Sequence, residues 1–267
     1  MEIATSGMTD MFAIRRRHLT WGGLLLLAVL IRMAAALVWQ ARLGEGEVFA
    51  FPDSESYWEL GRQIAQGQKY EFADARAFRT PGYPLLLAPL FLVFGEEPPV
   101  LAARSVGALL GGVVVFAVGG LTWKLFDERT GLIAALLCAL YPGAIAMSIL
   151  VLSEALFCPL MVAQLWCWSA AVKSQSRRRS LLFASLAGIA AGLATLTRPS
   201  WLLFTPLAIV LSLVMGKTRS THLRVGLAML MALVVTMSPW WVRNAVVLHA
   251  FVPTTTQVGA SLYDGLH

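Results

Sequence analysis

The chain has 267 residues, 58% of them hydrophobic and 13% charged, with a mean hydropathy of +0.70. That balance excludes an ordinary soluble domain and describes an all-α, polytopic helical membrane protein. The net charge of +6 does not point to nucleic acid, because the basic residues fall in short clusters between apolar runs, where membrane orientation accounts for them.

A helix needs about 20 apolar residues to cross about 30 Å of hydrocarbon. Seven stretches read as spans: 20–40, 99–125, 130–150, 154–173, 181–197, 200–216 and 223–242. Arg15, Arg16 and Arg17 precede the first span, which places residues 1–19 in the cytoplasm. The rival reading of 15–40 is a cleaved signal peptide ending near Ala34, Ala35 and Ala36; the length of the run and Arg32 within it favour an uncleaved anchor. Arg32 itself is left unassigned.

After span one comes a long segment, 41–98, carrying most of the acidic residues. Its part 53–67 has Tyr57, Leu60, Gly61 and Ile64 on one face and Glu55, Glu59, Arg62 and Gln66 on the other, which predicts an amphipathic surface helix ended by Gly67. Pro81 and Pro84 open a second loop helix. The following apolar run, 82–95, is short for a span and is read as interfacial or re-entrant. If it crossed, Arg177, Arg178 and Arg179 would lie outside, against the positive-inside bias; if it does not, they join Lys124, Arg129, Lys217, Arg219 and Arg224 in the cytoplasm. The second topology makes 41–98 one outer loop and the module 20–242 a membrane unit, with 243–267 a further outer segment. Cys138, Cys158 and Cys167 lie in spans without metal-ligand spacing and read as small core residues.

The polar residues near the outer span ends carry the chemistry. Asp53 reads either as a helix N-cap or as a functional carboxylate. Glu154 sits at the outer start of span four; a carboxylate there is costly unless paired, hydrated or used, though it would also suit a helix N-terminus. Arg198, before Pro199, and Arg243, closing span seven, lie outside against the positive-inside bias. A planar guanidinium suits bidentate phosphate binding, with snorkelling to headgroups as the plain alternative.

These residues carry a resemblance. Pro52-Asp53-Ser54-Glu55-Ser56-Tyr57, Arg79-Thr80-Pro81-Gly82-Tyr83-Pro84, Ser153-Glu154 after Leu140-Tyr141-Pro142, Arg198-Pro199, and Pro239-Trp240-Trp241-Val242-Arg243-Asn244 with Phe251-Val252-Pro253 together resemble the GT-C membrane glycosyltransferases. The branch is the bacterial one similar to dolichyl-phosphate-mannose protein mannosyltransferases and the aminoarabinose transferase of lipid A. The resemblance implies a multi-pass protein of the bacterial inner membrane, active at its periplasmic or extracellular face. It implies an inverting transfer from a polyprenyl-phosphate-linked sugar to a protein, lipid or glycan acceptor. Asp53 matches the family's catalytic base, with Glu154 positioning the acceptor or a neighbouring group. Arg79, Arg198 and Arg243 are candidates for the donor phosphate, and Tyr57 and Tyr83 for substrate contact. No cofactor is fixed by these residues, and a divalent metal stays open. Thr80 stands where some relatives carry lysine, which shifts the phosphate contact toward Arg79. Relatives also continue past the seventh span, so 243–267 reads as the beginning of a further part. A non-catalytic or truncated membrane module, or a transporter of lipid-linked material, are the competing readings.

Overall fold

The computed structural model describes residues 2–44, 49, 51–216 and 218–257, with side chains from His18 onward. Among them the chain is helical throughout, broken by turns and one isolated bridge between Phe72 and Ala75. The helices are α1 (Glu2–Arg42), α2 (Pro52–Ala65), α3 (Gly82–Phe94), α4 (Val100–Leu125), α5 (Glu128–Leu140), α6 (Pro142–Ile149), α7 (Glu154–Lys173), α8 (Arg177–Thr197), α9 (Phe204–Met215) and α10 (Arg219–Leu248), with a 3-10 turn at Pro199–Trp201.

Five helices are each long and apolar enough to cross a membrane: His18–Arg42 of α1, then α4, α7, α8 and α10. The stretch expected as a single span over 130–150 is instead a bent pair, α5 and α6, turning by 59°. Pro142 cannot donate a backbone hydrogen bond, and it opens α6 as its first residue. Counted as one, the pair makes six. The expected span 200–216 is interrupted at Pro199–Trp201, and α9 itself has 12 residues, about 18 Å of helix, less than the hydrocarbon thickness. The count of seven therefore does not hold by length alone.

Bending a helix inside a membrane strands carbonyls that lipid cannot satisfy. Two buried arginines supply the missing donors. Arg32 of α1, 1% exposed, donates to the carbonyls of Cys138 and Ala139 at 3.2 and 3.3 Å, at the end of α5, and to Ser148 Oγ at 3.2 Å. Arg104 of α4 donates to the carbonyl of Ile149, the last residue of α6, at 3.2 Å and to Gln40 Oε1 at 3.0 Å. Room for Arg32 comes from Gly111, where an added Cβ would lie 2.5 Å from Arg32 Nε. Arg32, left unassigned by sequence, thus caps the broken helix, and Arg104 was not singled out at all.

The same economy appears in α10. Pro239 leaves the carbonyl of Val235 without its helical donor, and the Ser238 hydroxyl donates to it at 2.8 Å.

Chain direction sorts the helix ends into two sets. One end of the bundle holds the close of α1, α6, α8 and α10 and the start of α4, α7 and the Pro199–Trp201 turn. The opposite end holds Lys124, Arg129, Lys173, Arg177, Arg178, Arg179 and Arg219, and there the Lys173 ammonium donates to the Lys124 carbonyl at 3.5 Å. Helices α2 and α3 cover the first end. They pack through Leu60 and Leu87, both buried, across Gly61, where a Cβ would stand 3.0 Å from the Leu87 side chain. Each such leucine contributes about 1.5–3 kcal/mol when withdrawn from water. The outer face of α3 leaves Leu92 and Val93 exposed, which suits a helix lying against lipid rather than crossing it.

Candidate active site

The amphipathic helix expected over 53–67 is α2, with Tyr57, Leu60 and Gly61 buried and Gly67 turning the chain at φ +64. It begins one residue earlier than expected. Phe51 occupies the N-cap and Pro52 the first helical position, so Asp53 stands in the first turn and does not cap. Its carboxylate is turned to another partner.

Arg79 reaches across from the segment before α3. Its NH2 donates to Asp53 Oδ1 at 2.5 Å and its Nε to Ser56 Oγ at 3.1 Å. The guanidinium carbon stands 5.0 Å from the centre of the Tyr57 ring, within cation–π range. Arg79 is mostly buried, with 13% side-chain exposure, whereas Asp53 keeps 57%. The carboxylate is thus oriented by a fixed cation and still open to a substrate.

Glu154 opens α7 and pairs with Arg198, whose NH1 donates to Glu154 Oε1. Its second oxygen accepts from Ser153 Oγ at 3.2 Å. Both oxygens of Glu154 are therefore engaged, while Asp53 has Arg79 as its one side-chain partner among the described residues. Arg198 ends α8, with its N–H donating to the Ala194 carbonyl at 2.7 Å.

Tyr57 joins the two pairs. It packs with Tyr83, Val151 and Ala155 in one buried cluster, its ring set edge-on to Tyr83 at 5.2 Å. Burial pushes the Tyr57 phenol above its ordinary range; the Ser153 hydroxyl and the Arg79 charge oppose that, and the charges of Asp53 and Glu154 add to it. Burial also raises the phenols of Tyr83 and Tyr70.

Gly82 sets the spacing between the two arginine-bearing segments. A Cβ there would come within 2.6 Å of the Leu196 carbonyl and the Thr197 hydroxyl, so only glycine lets the start of α3 touch the end of α8.

Arg243 takes a different position. Its NH1 donates to the carbonyl of Arg76 at 2.7 Å and its NH2 to that of Tyr70 at 3.0 Å, with the Tyr70 and Trp240 rings at 5.3 and 4.9 Å. It staples the 70–76 loop to the end of α10. The neighbouring motif clamps the chain that follows: Asn244, Trp241 and Trp240 donate to the successive carbonyls of Val252, Pro253 and Thr254 at 2.9, 2.9 and 2.7 Å. Thr256 then donates its N–H to the Ala77 carbonyl at 3.0 Å, two residues from Arg79. Sequence reasoning read this motif for its arginine and missed the clamp, although paired indoles and an asparagine before an apolar Phe-Val-Pro turn are donors in search of carbonyls.

Among the described residues no three His, Cys, Asp or Glu side chains converge as metal ligands. A cavity of about 40 Å³ lies behind Glu154, lined by Arg32, Ser148 and Cys158, and is large enough for ordered water.

Comparison with protein families matches residues 79–242 to the dolichyl-phosphate-mannose-protein mannosyltransferase family. That is more than half of the chain. No curated protein matches. Among solved structures, the archaeal oligosaccharyltransferase AglB from Archaeoglobus fulgidus, in complex with an inhibitory peptide and a dolichol-phosphate, shares the fold with a TM-score of 0.58 at 17% identity. The match covers 82% of this chain and 29% of that one, so the chain spans less than a third of that protein's length. The expected resemblance holds: the chain belongs to the dolichyl-phosphate-mannose-protein mannosyltransferase family and has the fold of a GT-C membrane glycosyltransferase.

Proposed function

We propose that this chain transfers a sugar, with inversion, from a polyprenyl-phosphate-linked donor to an acceptor at the outer face of a bacterial cytoplasmic membrane. The observation that carries the reading is the placement of two carboxylate–arginine pairs, Asp53–Arg79 and Glu154–Arg198, at one end of the bundle on either side of Tyr57, whose ring lies 5.0 Å from the Arg79 guanidinium and packs against Ala155, next to Glu154. The opposite end bears the basic clusters, which supports assigning the paired end to the outside.

Asp53 is the general base. An acceptor hydroxyl donates to its exposed carboxylate, and the acceptor oxygen attacks the anomeric carbon as the proton passes to Asp53. The bond from that carbon to the phosphate oxygen breaks, and the lipid phosphate leaves with the electron pair. Attack on the face opposite the leaving group inverts the configuration. Charge growing on the phosphate is met by Arg198, held in place by Glu154, and by Arg79. Arg243 acts at one remove, by holding the loop that leads to Arg79. Tyr57 and Tyr83, expected from the resemblance to touch substrate, are buried at 6% and 2% exposure, so they pack beneath the site and support Arg79 rather than touch the sugar. The lipid tail of the donor stays in the bilayer beside the spans, so the reacting phosphate meets the site at headgroup depth. The oligosaccharyltransferase structure, with its peptide and dolichol-phosphate, supports a lipid-phosphate donor and a protein acceptor; lipid and glycan acceptors fit the same chemistry.

The test is transfer by the purified full chain from polyprenyl-phosphate sugars to peptide, lipid and glycan acceptors. Release of the lipid phosphate with a product of inverted anomeric configuration is expected. A retained configuration overturns the direct displacement, and absence of transfer to all three acceptor classes overturns the function.

A further inference from the structure

Gln164 lies at the middle of α7 with no exposed surface, ten residues along the same helix from Glu154, in a segment where a polar side chain is expensive unless satisfied. Its Oε1 accepts from Trp201 Nε1 at 2.6 Å, and its Nε2 donates to Thr205 Oγ1 at 3.0 Å. Trp201 belongs to the 3-10 turn that follows Arg198. Its indole stacks on Phe204 at 4.0 Å and meets Phe157 of α7 edge-on at 5.2 Å. Its backbone N–H donates to the Arg198 carbonyl at 3.1 Å.

These contacts form a closed circuit. Helix α7 carries Gln164, which holds the Trp201 indole; the Trp201 N–H holds Arg198; the Arg198 guanidinium holds Glu154; and Glu154 opens the same α7. A turn begun by Pro199 lacks a full set of helical hydrogen bonds, so its placement depends on such an anchor. Thr205 is joined to Gln164 but lies outside the circuit.

We propose that Gln164 is a positioning residue for the donor-phosphate site: through Trp201 it fixes the turn that presents Arg198 to Glu154 and to the incoming lipid phosphate. The inference rests on the proposed function for its kinetic readout, and on geometry alone for a second one.

The kinetic test compares Gln164→Leu, Trp201→Phe and Thr205→Val. The first two should raise the KM for a polyprenyl-phosphate sugar by about three- to tenfold, the range of one interhelical hydrogen bond in a membrane, with kcat much less affected. The double variant Gln164→Leu/Trp201→Phe should be no worse than either single one. Thr205→Val should leave KM unchanged, and Gln164→Leu should add nothing once Arg198→Ala is present. A Gln164→Leu effect that multiplies with Arg198→Ala, or that Thr205→Val reproduces, overturns the proposal in favour of general helix packing.

The geometric test places cysteines at Glu154 and Arg198 in a background with Cys138, Cys158 and Cys167 replaced, and measures bridging by a short bifunctional thiol reagent. Bridging should slow several-fold in the Gln164→Leu and Trp201→Phe backgrounds and not in Thr205→Val. Equal rates in all backgrounds overturn the proposal. Slowed bridging together with no sugar transfer by the chain that keeps Glu154 and Arg198 leaves the positioning intact and defeats the proposed reaction instead.

Discussion

Asp53 and Arg79 are 26 positions apart in sequence, yet their side chains meet at 2.5 Å. The contact fixes the first turn of α2 against the segment leading into α3, and it leaves the carboxylate, not the guanidinium, as the exposed partner. A base needs that asymmetry: a held orientation together with access for the hydroxyl it serves.

The opposite asymmetry in the second pair yields the first prediction. Both Glu154 oxygens are occupied, and on the proposed mechanism Glu154 serves to hold Arg198. Arg198→Ala should weaken donor capture by about 1.5–3 kcal/mol, the worth of a charge-assisted hydrogen bond. Lysine should restore only part of it, because an ammonium cannot serve the carboxylate and the phosphate in one planar fork. Glu154→Gln should lower donor affinity less than Arg198→Ala does. Donor binding to the purified protein is the measurement, and unchanged affinity in Arg198→Ala would return that arginine to a snorkelling role.

Gly82 gives a prediction on stability. A methyl group there overlaps the Leu196 carbonyl and the Thr197 hydroxyl, so α3 and α8 must separate. Gly82→Ala should cost about 1–3 kcal/mol, as overpacking typically does, and should lower activity by moving Arg79 relative to Arg198. Thermal unfolding in detergent would register the loss; a wild-type midpoint would show that the two helices are free to slide.

Much of this arrangement was legible in the sequence. The amphipathic pattern of 53–67, the prolines opening α3 and the basic clusters at one end all follow from local composition. The candidate residues Asp53, Arg79, Glu154 and Arg198 also stand out in the sequence, because carboxylates and arginines at span ends are anomalous for lipid. Who pairs with whom was not legible. Asp53 could be read as a cap because its neighbour is a proline, but that proline begins the helix and moves Asp53 inside it. Arg243 reads as a phosphate candidate because it closes span seven outside, against the positive-inside bias; in the structure its guanidinium donates to the backbone carbonyls of residues 70 and 76, which no pattern announces. Arg104 was invisible for the same reason, since the carbonyl it satisfies exists only because α6 ends where it does.

Arg32 supplies a further prediction. Its replacement by methionine fills similar space but leaves the Cys138 and Ala139 carbonyls without their donor. Each unsatisfied buried carbonyl costs about 1–3 kcal/mol. Arg32→Met should therefore destabilise the protein more than Arg62→Met, whose side chain pairs on the surface with Glu59 and contributes about 0–1 kcal/mol. Comparing the two by thermal unfolding tests the capping role; equal midpoints would contradict it.

The buried tyrosines predict behaviour at high pH. Burial raises the phenols of Tyr57, Tyr70 and Tyr83 in the folded protein. A folded value above the unfolded one means that the native state binds more protons, so this stabilisation is present below pH of about 10 and is lost as pH climbs beyond it. Tyrosinate absorbance of the wild type minus that of Tyr83→Phe should show no ionisation near the ordinary phenol range until the protein unfolds. A difference step in that range would place Tyr83 in contact with solvent.

Sidedness can be read by thiol labelling of intact cells in a background without the native cysteines. A cysteine at Gly95 should react with an impermeant reagent and one at Ser176 should not. The reverse pattern would put the paired carboxylates on the cytoplasmic side.

The most direct test of the account is turnover by Asp53→Asn. The substitution keeps the size and an amide oxygen that can still accept from Arg79, and it leaves Arg79 its Ser56 partner, so insertion and thermal stability should stay near wild type. Transfer from a polyprenyl-phosphate sugar should fall by about 10²–10⁴-fold, the usual contribution of a general base. Turnover at the wild-type rate by a correctly inserted Asn variant would contradict the assignment of Asp53 as the base.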